Sequence, residues 1–133
     1  MLQFQGRNIT SEFDLLRVKV QAIDFIKPIK FEETDLEKLA DLVLELAKEL
    51  IFNQVDAYIC LNCHNLERKK GLEIYVYNKN MSLEKAQVVL DDNYNLSRRG
   101  IILDHSVGFL DKFELKKEPK SGIEVNILKW SKL

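Results

Sequence analysis

Three carboxylates recur at four-residue intervals in the stretch DLVLELAKE, at Asp41, Glu45 and Glu49. In a helix this spacing puts them on one face, where neighbouring like charges repel by ~0.2–0.5 kcal/mol per pair. Grouped carboxylates could bind a cation or form an acidic ridge for a partner protein. The sequence favours a plainer alternative, a solvated face whose repulsion is relieved by Lys38 and Lys48.

A second group with chemical potential is the stretch CLNCH, which ends at His64 and has the spacing of c-type haem attachment. The surrounding residues alternate as in a strand, so Cys60 and Cys63 should lie on opposite faces and cannot both reach one haem edge or one zinc ion. We therefore expect Cys63 to be a small core residue and Cys60 to carry its thiol on the other sheet face.

Arg98 and Arg99 stand directly before Gly100 and a predicted helix start. A helix N-terminus with two guanidinium groups could bind an anion. Exposed arginines are common on protein surfaces, so the sequence favours a solvated loop.

The stretch EIYVYNKNMSLEKA, residues 73–86, changes character in its middle. It begins with the alternation of a half-buried strand and continues from Ser82 as a helix. Ligands of α/β folds commonly bind where a strand ends and a helix begins. Asn78 and Asn80 therefore mark either a ligand site or a plain turn built from residues that tolerate positive φ.

The composition limits the class of protein. A chain of 133 residues suits one domain, 1–133, and 46% hydrophobic with 31% charged residues is typical of a soluble globular protein. The net charge of -1 gives no field that would attract nucleic acid or anionic lipid. No apolar run approaches the ~20 residues of a membrane span. The two cysteines and a start without a secretion signal predict a cytoplasmic protein.

Capping and apolar periodicity predict four helices. The first runs from an N-cap at Ser11 to about Lys27, and its predicted apolar face is Leu15, Leu16, Val20, Ile23 and Ile26. The second follows a capping box of Thr34 and Glu37, and its predicted apolar face is Leu36, Leu39, Val43, Leu46 and Leu50. The third begins after Ser82, and the fourth contains Ile102, Leu103, Val107, Leu110 and Phe113.

Alternating residues predict five strands, at 2–9, 55–65, 71–78, 113–118 and 122–130. The second and third are joined by LERKKG, a polar hairpin loop around Gly71, and the last two by PKSG. Hairpins imply a mixed, mostly antiparallel sheet, and the helices can cover one face of it. The predicted fold class is α+β, a two-layer α/β sandwich with helices on one face.

This order, with the residues in it, resembles the anti-sigma-factor serine kinases of bacterial partner switching, the RsbT and RsbW type within the GHKL ATPase superfamily. SEFDLLRVKVQA is similar to the opening helix of RsbT-like proteins, and LELAKELI to the family's Glu-Leu-Ala-x-Asn helix. RKKGLEIYVYNKNMSL is similar to the strand that leads into the family's Asp-x-Gly-x-Gly box, and GIEVNILKW to its last strand. The resemblance covers nearly the whole chain and implies a histidine-kinase-like ATPase fold.

The resemblance also implies a magnesium-ATP site, but several of its positions carry other side chains. Glu45 takes the place of the general base, and Glu49 that of the asparagine that binds magnesium. The aspartate that recognises the adenine amino group falls on Asn78. A carboxylate at Glu49 could still bind magnesium, and an asparagine can still accept one hydrogen bond.

The lost glycines weigh against nucleotide binding. The two glycines of the box fall on Asn80 and Ser82, whose side chains stand where the family's backbone approaches the purine. Only Gly100 remains of the later glycine-rich loop. We therefore expect a former nucleotide site without a cofactor. If the site still functions, its cofactor is Mg-ATP, with the nucleotide at Asn78, Asn80, Ser82 and Gly100 and the metal at Glu49.

The other predicted surface is the sheet face away from the helices. Alternation places five large side chains there: Tyr58, Tyr75, Tyr77, Leu128 and Trp130. Aromatic side chains with polar tips suit a protein interface. The alternative, which the sequence supports equally, is cross-strand pairing that stabilises the sheet.

Two functions follow from these patterns. The first is a regulatory binding protein with the kinase fold but no effective kinase activity, whose partner is a sigma factor, a STAS-domain antagonist or a phosphatase regulator. Homodimerisation through the aromatic face belongs to this hypothesis. The second is an active serine kinase, in which Glu45 activates the substrate hydroxyl while Glu49 and Asn78 hold Mg-ATP. Neither involves nucleic acid or a membrane.

Overall fold

The computed structural model of the chain describes residues 1–90, 109–117 and 122–132. Its strands are β1 (Leu2–Gln5), β2 (Ala57–Leu66), β3 (Lys69–Asn78), β4 (Lys112–Lys117) and β5 (Ile123–Trp130), and its α-helices are α1 (Glu12–Ile26), α2 (Glu33–Leu46) and α3 (Leu83–Leu90). Short 3₁₀ turns cover Gly6–Asn8 and Lys27–Ile29, and a π-helical turn covers Ala47–Ile51. The α+β class and two-layer arrangement are therefore confirmed.

The five strands form one open sheet in the order β1-β2-β3-β5-β4. Every pairing between the described strands is antiparallel. The sequence predicted a mixed sheet, but the described strands include no parallel pair. The middle of the inner face is apolar, because alternate residues of β2, β3 and β5 are buried there: Ile59, Leu61, Ile74, Val76, Val125 and Ile127.

The apolar stripe of α2 supplies much of the opposing layer. Leu39, Val43, Leu46 and Leu50 are fully buried and Leu36 is half-buried, as their spacing predicts. The predicted capping box is wrong, since α2 begins two residues earlier with Glu32 as its N-cap and without a side-chain cap. Packing against the sheet therefore does more than capping to fix this helix.

Helix α1 begins as predicted, with the Ser11 hydroxyl accepting from the backbone N–H of Asp14 at 3.2 Å. The predicted apolar face is partly wrong. Its buried residues are Val18, Ala22 and Ile26, whereas Leu16 and Val20 are exposed. The helix carries two apolar stripes on opposite sides, and periodicity alone cannot say which of them meets the sheet.

The hairpin between β2 and β3 turns at Glu67 and Arg68, and Glu67 has a φ of 54°. Gly71 is therefore a buried strand residue and not part of the loop. Cys60 and Cys63 do lie on opposite faces, but their predicted burial is reversed: Cys60 is 6% exposed, hence buried, and Cys63 is exposed. The second half of β2 is exposed on both sides, so an inward position there is not a core position.

Helix α3 begins as predicted, since the Ser82 hydroxyl accepts from the backbone N–H of Lys85 at 3.1 Å. Phe113 lies in β4, so its assignment to a fourth helix is wrong, and Leu110 is not helical either. The rest of that predicted helix, together with Arg98, Arg99 and Gly100, lies outside the described residues. Within the described ranges, the helices lack the length and apolar character needed to span a membrane.

Candidate functional site

The end of β3 meets the end of the α2 region at Asn78, which is fully buried on the inner side of the sheet. Its side-chain NH₂ group donates to the backbone carbonyl of Leu50 at 2.7 Å and to Oε1 of Gln54. Its side-chain carbonyl accepts from the backbone N–H of Asn80 at 2.9 Å. Both amide hydrogens and the amide oxygen are therefore in use.

The local structure explains why an asparagine suits this position. The last carbonyls of a helix have no partners within the helix, and Leu50 lies in the π-helical turn that ends the α2 segment. Asn78 supplies a donor to that carbonyl from the neighbouring strand. Its side chain thus acts as a tertiary cap that joins the helical layer to the sheet.

Two glycines pack backbone against backbone around the same point. A Cβ atom at Gly122 would overlap the carbonyl oxygen of Asn78. A Cβ atom at Gly6 would overlap the carbonyl oxygen of Ile51 and come within 2.5 Å of that of Gln54. Close approach of this kind is possible only without a side chain. The positions of these glycines in the sequence did not predict these close backbone contacts.

The other residues predicted at this junction have turn and capping roles. Asn80 is exposed and contributes its backbone N–H to Asn78. Neither Asn78 nor Asn80 adopts positive φ. Positive φ occurs instead in the turn before β2, at Asn53 and Asp56. The Ser82 hydroxyl is engaged as the cap of α3.

The three carboxylates of the α2 region lie in different environments. Asp41 is exposed and pairs with Lys19 of α1 at 2.9 Å, so a lysine of another helix relieves its charge. Glu45 and Glu49 are half-buried, and Glu49 belongs to the π-helical turn beside Leu50. Within the described ranges, no group of three or more histidine, cysteine, aspartate or glutamate side chains is placed to hold a metal ion.

Three tyrosines form a cluster on the outer face of the sheet. The Tyr58 ring lies 6.0 Å from that of Tyr75 and 5.5 Å from that of Tyr77, between centroids. The Tyr75 hydroxyl donates to Oε1 of Glu124 at 2.6 Å. Burial is the largest cause that raises the pKa of Tyr75, and the hydrogen bond to Glu124 raises it further, so this pKa lies well above its usual value. The cluster is half-buried, and its hydroxyl at Tyr75 stays protonated.

A polar network that the sequence did not predict lies next to the tyrosines. The Glu73 carboxylate accepts from Asn62 at 3.3 Å and from Asn126 at 2.8 Å, and it lies 3.0 Å from Nε2 of His64. Burial raises the pKa of Glu73, but the hydrogen bonds from His64, Asn126 and Asn62 outweigh it, so the pKa lies below its ordinary value. The network ties β2, β3 and β5 together.

Leu128 and Trp130 share this outer face with the tyrosines, as the alternation predicts, and both are half-buried. Leu128 lies across from Glu73, and Trp130 lies across from Gly71. A Cβ atom at Gly71 would come within 2.7 Å of Cε3 of Trp130, so the indole packs directly on the β3 backbone. The face is therefore aromatic at two places with a charged network between them.

No family model matches the chain, and no curated protein matches it either.

Proposed function

We propose that this protein is a cytoplasmic regulatory module of the partner-switching type, which acts through protein–protein contacts and does not transfer phosphate. Its partner would be a sigma factor, a STAS-domain antagonist or a phosphatase regulator. The proposal combines the resemblance to anti-sigma-factor serine kinases with the chemistry of the β3–α3 junction.

The observation that carries the proposal is the engagement of Asn78. In the resembling family an aspartate at this position accepts a hydrogen bond from adenine. Here the side chain is fully buried and already makes three hydrogen bonds, to Leu50, Gln54 and Asn80. Turning it towards a purine would leave buried groups without partners, at about 1–3 kcal/mol for each.

The surface that would meet the partner is the tyrosine cluster of Tyr58, Tyr75 and Tyr77. Half-buried aromatic rings on a rigid sheet can bury further area without ordering flexible side chains. Their packing against one another also supports a purely structural role. The two roles are compatible, and binding experiments with variants of the cluster distinguish them.

Calorimetry with Mg-ATP at millimolar concentration tests the absence of a nucleotide site. We expect no saturable heat with the wild-type protein. The competing function, an active serine kinase, predicts binding that is weakened in Glu49→Ala. It also predicts a phosphoserine on a co-expressed STAS-domain protein that disappears in Glu45→Ala. Either result would replace the present proposal.

Binding to the three partner classes tests the interaction itself. Sigma factors, STAS-domain proteins and phosphatase regulators from the same genome can be purified and titrated against the full chain. We expect one to bind, and Tyr77→Asp to weaken that binding at least tenfold while Gln21→Asp, an exposed change on α1, leaves it unchanged. Equal binding by both variants would exclude the tyrosine cluster as the contact surface.

A further inference from the structure

Within the described residues, the second half of β2 has no neighbouring strand on one of its two sides. Strand β1 pairs with β2 only from Tyr58 to Leu61, whereas β3 follows β2 to its end at Leu66. Residues 62–66 therefore form an open edge, which we call the β2 edge. Alternate residues of such an edge present their N–H and C=O groups to solvent.

Three cations lie on the same hairpin, next to this edge. Arg68 is in the turn after β2, and Lys69 and Lys70 begin β3. We call these three residues the hairpin cations. All of them are exposed, and none forms an ion pair with another described residue. The ladder between β2 and β3 fixes their backbone positions relative to the edge.

We propose that the β2 edge binds an acidic, extended segment of a partner protein, which adds to the sheet as a further strand in line with β1. The main chain of the segment hydrogen-bonds to residues 62–66, and its carboxylates lie near the hairpin cations. This inference goes beyond the proposed function, because it uses neither the tyrosine cluster nor the Asn78 junction. It applies to any partner that supplies such a segment.

The charges beside the edge favour an acidic occupant. By alternation Lys69 lies on the outer face of the hairpin and Lys70 on the inner face, so a strand on the β2 edge has a cation on either side. Glu67 is the only acid in residues 62–70. A strand added to β2 lies about 10 Å from β3, a distance that two long side chains can span and that salt screens only in part.

Two further cations extend this positive surface. Ser131 donates its backbone N–H to the carbonyl of Lys70 at 2.8 Å and its hydroxyl to the carbonyl of Lys30 at 2.6 Å, so both segments meet the hairpin. Lys30 and Lys132 are exposed. The acids that follow Lys30 belong to the first turn of α2, where they complement the helix dipole. Cations are therefore concentrated at one end of a chain whose net charge is -1.

The edge also defines the composition of the segment. Leu66 is 59% exposed, and an apolar side chain on the added strand would bury it. The β2 edge has the sequence NCHNL, without an acid, so the same edge of a second copy would supply no carboxylate to the hairpin cations. These features fit a segment of another protein in which acidic and apolar residues alternate.

Titration of the full chain with a synthetic peptide tests the proposal. The probe has about seven residues in which glutamate alternates with valine, long enough to cover the β2 edge as a strand. We expect saturable binding with a Kd on the order of 100 µM, which weakens as the salt concentration rises. Binding should also slow the hydrogen exchange of the amides of the β2 edge that face solvent.

Two control peptides distinguish strand addition from charge attraction alone. Lysine in place of glutamate should abolish binding, because the hairpin cations then face like charges. The glutamate peptide with a methyl group on every backbone nitrogen keeps its charges but has no N–H group to donate. It should bind about tenfold more weakly and leave the exchange of the β2 edge unchanged.

Charge reversal in the protein tests the role of the hairpin cations. Lys69→Glu should weaken binding of the glutamate peptide about fivefold. Lys48→Glu makes the same change at an exposed position of the π-helical turn, which meets the other end of β3, and should bind as the wild type. Thermal melts by circular dichroism establish that both variants are folded.

Four results would contradict the proposal. They are no saturable binding of the glutamate peptide, equal binding of either control peptide, equal binding by folded Lys69→Glu, or unchanged exchange of the β2 edge in the complex. Tighter binding of a single-stranded oligonucleotide in the same salt would assign the cations to nucleic acid instead. Protection of the edge that appears in the protein alone, as its concentration rises, would assign the edge to a second copy. Partner binding at the tyrosine cluster is tested separately with Tyr77→Asp, so failure here leaves the proposed function standing.

Discussion

Asn78 connects three segments through one primary amide. Its partners Leu50 and Gln54 come 28 and 24 residues earlier in the chain, and Asn80 follows two residues later. An aspartate could keep the bond from Asn80 but has no hydrogen to donate to Leu50. The amide is therefore a structural requirement of this junction, whatever the ancestry of the site.

The variant Asn78→Asp tests this requirement. A carboxylate of the same shape would face the carbonyl of Leu50 in a buried place, so we expect the free energy of unfolding to fall by about 2–4 kcal/mol at neutral pH. Asn80→Asp introduces the same charge at an exposed position two residues away and should change it by less than about 0.5 kcal/mol. Urea unfolding at neutral pH measures both.

The same variant also distinguishes the two proposed functions. Asn78→Asp restores the carboxylate that recognises adenine in the resembling family. If a nucleotide cleft remained beside it, the variant would be stable and would bind Mg-ATP more tightly than the wild type. We expect instead a destabilised protein with no gain in nucleotide binding.

At the scale of elements, the two long helices show what periodicity can and cannot predict. Helix α2 has one apolar stripe, and the sequence identified it correctly. Helix α1 has two, and the prediction merged them, taking Leu16 and Val20 for core residues although both are exposed. A pattern along one helix contains no information about which side faces the sheet, so the second stripe had to be found from burial.

Paired truncations measure this difference between the helices. Leu46→Ala removes a fully buried side chain of α2 and should lower the free energy of unfolding by ~2–5 kcal/mol. Val20→Ala shortens an exposed side chain of α1 and should change the stability of the monomer by less than ~0.5 kcal/mol. Urea unfolding at low micromolar concentration compares the monomers. Similar losses in both variants would mean that α1 is rotated from the orientation described here.

At the scale of the molecule, hairpin patterns were enough to predict a mostly antiparallel sheet and which residues share its outer face. They were not enough to predict the Glu73 network, because Asn126 lies 53 residues away and meets Glu73 only through the register of β3 with β5. The predictions that Cys63 is a core residue and that Cys60 lies on the outer face without being buried were wrong for a similar reason. How far β2 extends beyond the helical layer depends on the assembled fold, not on local alternation.

The Glu73 network predicts how stability depends on acid. Its hydrogen bonds hold the pKa of Glu73 below the ordinary 4.5, so the unfolded chain takes up a proton before the folded one does. The stabilisation by Glu73 is complete above the pKa that this carboxyl has in the unfolded chain. It is lost as the pH falls through the lower pKa that the carboxyl has in the folded protein. The difference in urea midpoint between the wild type and Glu73→Gln should therefore be largest at neutral pH and shrink below about pH 4.5. Glu37→Gln, an exposed change on α2, is the matched control and should change the urea midpoint little. A constant difference for Glu73→Gln would mean that its carboxylate contributes no charge-dependent stability to the sheet.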